Sequence, residues 1–301
     1  MSEVADAGPP LFAFAQLEFP WALGPADGRY VLRAADAGEP SHVLVLTTLG
    51  AAERRRLGRR RPRATPADPS AAPVATARAT VIDAGSLPDE GAGAAWLQAA
   101  RGAEVAERRV AAALATLNGV LRAHRVAAAD PHVREVARGQ ALVARLGWGR
   151  GEQVADGRWT DALEVPPPRE GRRRRTAALR PQERLAALVG GRELPLVCEE
   201  LALRARLDLD QGRPRAAALQ LRVALEAALT DLAEVGDAGD LGARLAELRS
   251  AREAVGQAAN EALRGPLEPA SAAAVGRVLG RLEAALRARA AAGDSGVRRG
   301  V

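Results

Sequence analysis

Lysine is absent from the 301 residues, so all 43 basic side chains are arginine. Isoleucine occurs once, at Ile82, and asparagine only at Asn118 and Asn260. Scarcity of Lys, Ile, Asn, Phe and Tyr together is what GC-rich codon usage produces. Arginine abundance therefore does not by itself indicate nucleic-acid binding. Cys198 is the sole cysteine, which excludes an intrachain disulfide and makes no demand for an oxidising compartment. The three histidines, His42, His124 and His132, stand in no metal-binding arrangement such as HExxH, so no zinc site and no cofactor is expected. No apolar run approaches the ~20 residues that span a bilayer. The first residues, MSEVADAGPPLF, carry acid where a signal peptide needs base. The expectation is a cytoplasmic protein without membrane insertion.

What is present is unevenly placed. Residues 53–63 hold seven Arg and one Glu, and residues 169–175 hold five Arg and one Glu. Removing these two runs, +6 and +4, from the overall +6 leaves −4 for everything else. The basicity sits in two short stretches, and the remaining chain is mildly acidic. Seven arginines in eleven residues can bind polyanions with steep salt dependence. The candidate polyanion contacts are Arg54, Arg55, Arg56, Arg59, Arg60 and Arg61, with Arg172, Arg173, Arg174 and Arg175. A solvated tether enriched in arginine by codon usage is the competing explanation.

The first half reads as α+β: a small antiparallel sheet plus helices, over 1–165. Strands are expected at Leu11–Phe19, Arg29–Arg33, His42–Thr48 and Ala75–Asp83, with Gly- and Asp-containing turns between them. All three Phe, the only Tyr and Trp21 fall between positions 12 and 30, which suggests one aromatic sheet face. Residues 50–73 combine arginines with Pro62, Pro66, Pro69 and Pro73, and read as a disordered insertion. Helical spacing follows from Pro88 to Ala129, through Val110, Leu114, Leu117 and Leu121, and Asp130-Pro131 stops it. Over 132–165, Val133 and Val136 suit a helix. Ala141–Leu146 could end a strand, and 152–163 reads as a short helix broken at Gly157.

Pro166-Pro167-Pro168 and the arginines after it make a stiff linker, 166–178. The remainder, 179–292, reads as an antiparallel bundle or short α-solenoid, with a disordered tail at 293–301. Its helices are expected at 181–189, 196–210, 214–235, 241–263 and 270–291. Within it, Ala205, Ala217, Leu221 and Ala224 fall at small, small, large and small packing positions around the turn glycine Gly212, and Leu201 takes a large one. On these residues, 201–225 resembles a single tetratricopeptide repeat. Arg204 and Asp208 depart from that pattern, and no second copy stands a repeat length away. The resemblance implies a protein- or peptide-binding surface.

Two further motifs bear on chemistry. Gly147-Trp148-Gly149-Arg150-Gly151 could present backbone N–H groups to an anion, and Arg158 and Trp159 could join it as a ligand loop. Its spacing is neither that of dinucleotide folds nor, without lysine, that of a P-loop. No serine lies in a GxSxG setting. With no catalytic motif, the expectation is a non-catalytic interaction or scaffold protein with a protein partner on the helical half. A nucleic-acid-associated protein and an enzyme of unrecognised class are the alternatives.

Overall fold

The computed structural model describes residues 9–33, 38–50, 75–167, 181–232 and 241–297. The chain divides into two compact units, Met1–Arg169 and Glu170–Val301. The arginines at 54–61 and 172–175 lie outside the described residues, as does the proposed insertion beyond Gly50.

The first unit is built on six antiparallel strands, not the four expected. They are β1 (Leu11–Phe19), β2 (Gly28–Arg33), β3 (Pro40–Leu49), β4 (Thr76–Leu87), β5 (Val143–Arg150) and β6 (Asp161–Glu164). Their order is β2-β3-β4-β1-β5-β6, so the apolar β1 lies inside the sheet, between β4 and β5. Register aligns one side chain from each strand in rows across the sheet. One face carries Tyr30, Leu44, Val81, Ala15, Leu146 and Leu163 in a single row. Helices α1 (Glu90–Ala99) and α2 (Ala103–Ala127) cover it with Leu97, Val110, Leu114, Leu117 and Leu121. The 3.6-residue spacing places those α2 residues on one stripe, which is why this helix packs flat. Asp89 caps α1 by accepting from the Ala92 N–H at 2.7 Å.

The aromatics do not share a face. Phe19 is buried under the helices, whereas Phe14 sits in a second cluster on the reverse side with Val45, Ile82 and Val154. Strand parity separates them, because an odd sequence difference along β1 sends two side chains to opposite faces. Residues 133–137 form no helix. Asn118, buried on α2, accepts from the Val136 N–H at 2.8 Å and donates to the Val136 carbonyl at 2.9 Å. That clamp takes the backbone groups a helix would use, and it seats Val133 and Val136 in the core.

The second unit holds α4 (Pro181–Val189), α5 (Val197–Asp210), α6 (Pro214–Asp231), α7 (Leu241–Ser250), α8 (Arg252–Arg264) and α9 (Pro269–Val297). The stretch expected as one helix over 241–263 is two. Ser250 donates its hydroxyl to the Glu247 carbonyl at 2.8 Å, and the Ala251 N–H takes both the Glu247 and Leu248 carbonyls. Such competition for carbonyls tightens and ends a helix. Helix α9 runs to Val297, past the 293 at which a tail was expected. No proline interrupts its interior, and the chain stays helical through Gly293 and Gly296. Buried Ala202, Ala205, Ala217, Ala218, Ala224 and Ala228 line the α5–α6 contact and let the two backbones approach closely. Gly212, at φ +68°, makes the turn between them.

Candidate functional site

The reverse face of the sheet is where the polar residues gather. Its central row reads Arg29, Val45, Thr80, Gln16, Arg145, Glu164 across all six strands. The adjoining row, Val31, Val43, Ile82, Phe14, Gly147, Ala162, is apolar. On the other side lies Thr47, Arg78, Glu18. Gln16 is fully buried, donating to Thr80 Oγ1 at 3.2 Å and accepting from Arg145 Nη1 at 2.7 Å. Arg78 donates to Glu18 at 2.9 Å, and Arg145 lies 3.8 Å from Glu164. The short helix α3 (Gly151–Ala155) crosses this face, and its acids Glu152 and Asp156, just beyond its end, pair with Arg29 on β2.

The glycine motif explains how α3 fits. Residues 143–150 form strand β5 rather than a turn, and its neighbours on both sides consume the backbone donors. The Gly151 N–H goes to the Pro10 carbonyl at 2.8 Å. Of the glycine motif, 147–150 are strand and Gly151 opens α3. A Cβ on Gly147 would lie 2.6 Å from both the Asp161 carbonyl oxygen and the Phe14 ring. One on Gly149 would lie 2.9 Å from Val154 Cγ2 and 3.0 Å from Trp159 Cα. These glycines are present because the 151–161 segment and Phe14 press directly onto the strand.

The aromatic and arginine residues of the motif divide between the two faces. Trp148 points to the helical side and wedges against Gly93 of α1, where a Cβ would come within 2.5 Å of the ring. Its Nε1 is buried without a hydrogen-bond partner, so shape holds the ring. Trp159 is on the reverse face, 5.8 Å from the Phe14 ring and 4.9 Å from the Arg145 guanidinium. Arg150 pairs with Glu90, and exposed Arg158 lies 3.4 Å from Asp156. Trp148, Arg150, Arg158 and Trp159 thus form no single cluster, and the cation on Trp159 is Arg145. Sequence reasoning missed Gln16, Thr80, Arg78 and Arg145. The available signal was two polar residues, Gln16 and Glu18, at alternate positions in an otherwise apolar strand.

Chemically this row is closed. Both ends of the Gln16 amide are taken, the arginines face acids, and no nucleophile is set against a base. Among the described residues, no three His, Cys, Asp or Glu side chains gather as a metal site would require. Cys198, in the second unit, has its thiol pushed up to about 12 by burial and by the nearby carboxylates of Asp231 and Glu199. It is a core group, not a nucleophile. A surface depression of about 430 Å³ at the end of α8 is lined by Gln257, Asn260, Glu261 and Arg264. Its carboxylate is committed: Glu261 accepts from Ser271 Oγ at 2.6 Å and from the Glu268 N–H, which holds it below the usual carboxylate range.

The second unit differs in what it leaves outside. Helix α4 buries none of its residues, and Leu185 and Val189 stand exposed at i, i+4. Helix α5 buries Cys198, Ala202, Ala205 and Asp208 and exposes Val197, Leu203 and Leu207 on its other side. Arg184 of α4 lies 2.6 Å from Glu199 and 3.3 Å from Glu193, and Arg289 of α9 reaches both acids within 3.8 Å. Asp208, where the repeat pattern has an aromatic, is a buried carboxylate accepting from Arg213 Nε and Gln220 Nε2, each at 2.7 Å. It staples the corner of the hairpin.

Comparison with protein families, with curated proteins and with solved structures finds no match to this chain.

Proposed function

We propose that this is a non-catalytic interaction protein whose helical unit docks a protein partner. One observation carries the reading: of twelve large apolar side chains exposed among the described residues, eight belong to the helical unit. Single exposed leucines are ordinary, but pairs at helical spacing on α4 and α5 make apolar stripes of the kind partner proteins cover. The hairpin's resemblance to a tetratricopeptide repeat supports the same use. A cytoplasmic location belongs to this reading and is supported by the single buried thiol. No described helix is long and apolar enough to cross a membrane.

The test uses the full chain as bait beside two variants, Leu185→Asp/Val189→Asp and Leu203→Asp/Leu207→Asp. A partner retained by the wild type and lost by either variant, at unchanged helicity, is the expected result. Capture that neither variant alters would sink the reading.

A second reading is favoured by the clustered charge at 53–63 and 169–175: these runs bind a polyanion such as duplex DNA. Affinity should then fall steeply with salt and vanish when both runs become Gly/Ser. Binding unchanged by that replacement removes the runs from consideration.

A further inference from the structure

The outer side of α5 carries a pattern that is complementary to itself. At 3.6 residues per turn, Val197, Glu200, Arg204 and Leu207 fall within an arc of about 80°. Their spacings of three, four and three are symmetric about position 202. Read in either direction the positions match, and the chemistry runs apolar, acid, base, apolar. All four are open: Val197 and Leu207 are 65% and 46% exposed, and the Glu200 and Arg204 side chains 67% and 59%. Leu203 adds exposed apolar surface along the border of the stripe.

From this we infer that the partner of the α5 surface is a second copy of this chain, docked with the two α5 helices antiparallel about a two-fold axis. In that register Val197 meets Leu207 of the second copy, and Leu207 meets its Val197. Glu200 meets the opposing Arg204, and Arg204 the opposing Glu200. Within one chain Glu200 and Arg204 already pair as i, i+4 neighbours. Pairing the copies sets four charges of alternating sign side by side, each acid between two bases. An isologous interface requires that residue i contact j while j contacts i, and these four positions satisfy it. Exposed ion pairs add little affinity but penalise wrong registers, so the apolar pair at each end supplies attraction and the charges fix orientation. A parallel arrangement would set Glu200 against Glu200 and Arg204 against Arg204.

The inference rests on the docking reading of the helical unit and names its partner. The decisive experiment is sedimentation of the full 31.4 kDa chain over a wide concentration range, with four variants. Wild type should approach twice the monomer mass. Glu200→Arg and Arg204→Glu should each weaken association roughly ten-fold or more, because each opposes like charges. The double reversal, Glu200→Arg/Arg204→Glu, should restore it, which a merely structural role for either residue would not do. Val197→Asp/Leu207→Asp should leave a monomer, with circular dichroism confirming that the exposed substitutions keep the helices. A wild type that stays monomeric throughout overturns the pairing. So does a dimer indifferent to all four variants, or one that a single reversal abolishes and the double reversal fails to restore. A monomer that still captures a different protein through Leu203 and Leu207 sinks the copy pairing alone. A monomer that captures nothing sinks the docking reading with it.

Discussion

All eight aromatic residues lie in the sheet unit, at or before Trp159, and the helical unit has none. The two units therefore reach close packing by different means. In the sheet unit large rings meet glycines: Trp148 on Gly93, and Phe14 on Gly147. Each fit is specific in shape, and a single added methyl group collides with it. In the helical unit alanines face alanines and leucines across α5 and α6, and the helices come together on small side chains. Polar groups follow the same division. The sheet unit buries Gln16, Thr80 and Asn118 in satisfied hydrogen bonds, whereas the helical unit keeps most of its charge at the surface as ion pairs. Large-ring shape and buried amides specify the sheet unit, and close small-residue packing with the buried Asp208 staple specifies the helical unit.

The harshest way to break this contrast is to disturb the large-ring packing. Phe19→Ala removes a fully buried ring from the helix-covered face, and the sheet unit should lose about 4 kcal/mol of stability. In the helical unit the corresponding insult is overpacking. Ala205→Leu, at a fully buried alanine between α5 and its neighbours, should cost about 2 kcal/mol. Hydrogen exchange resolves which unit carries each loss. Equal loss of protection in both units from either change would show the contrast to be false.

Buried hydrogen bonds carry effects of comparable size to the overpacking. Asn118→Leu leaves both the N–H and the carbonyl of Val136 without partners, and should cost about 3 kcal/mol in urea unfolding. Gln16→Leu strands Thr80 Oγ1 and one arm of Arg145, for about 2 kcal/mol. Adding Thr80→Val should recover part of that, since it removes a group left unsatisfied. A double variant as unstable as the sum of its parts would mean Gln16 and Thr80 are not coupled.

The contrast also governs how much was legible in the sequence. Helical periodicity reports burial, so α2, α6 and α9 could be placed from apolar spacing, and the Ala251 break could not. Strands β1 to β4 were visible by alternation and turn residues. The start of β5 was visible within 141–146, but its end and β6 were not, because Gly147-Trp148-Gly149 reads locally as a turn and 152–163 as a broken helix. Those glycines answer to Phe14 and to the Val154–Trp159 segment, contacts that exist only once the sheet is assembled. The polar row was hidden for the same reason. Thr80 and Arg145 lie 64 and 129 positions from Gln16 in sequence, and only register unites the three. The exposed stripe of α5 is the opposite case, since it follows from spacing within fourteen residues and needs structure only to show that it is uncovered.

The smallest effect separates the units by pH. Cys198 is buried among Ala202, Leu225 and other core residues of the helical unit, and its thiol titrates near 12 rather than at its ordinary 9.0. Burial is the larger cause, with Asp231 and Glu199 adding repulsion toward a thiolate. A group whose pKa is raised by folding favours the folded state while it is protonated. That contribution is whole below the unfolded pKa, near 9, and is lost progressively as pH rises from there toward 12. Urea unfolding of the helical unit at pH 10 should therefore show a loss of about 1 kcal/mol relative to pH 8. Cys198→Ala removes the titrating group, so the variant should lose less stability between the two pH values than wild type does. In parallel, a thiol reagent at pH 8 should label the folded chain only at the rate at which this unit opens, because almost no thiolate is present in the closed state. Labelling as fast as a free thiol, or equal pH sensitivity in wild type and variant, would place Cys198 outside the core that distinguishes this unit from the aromatic one.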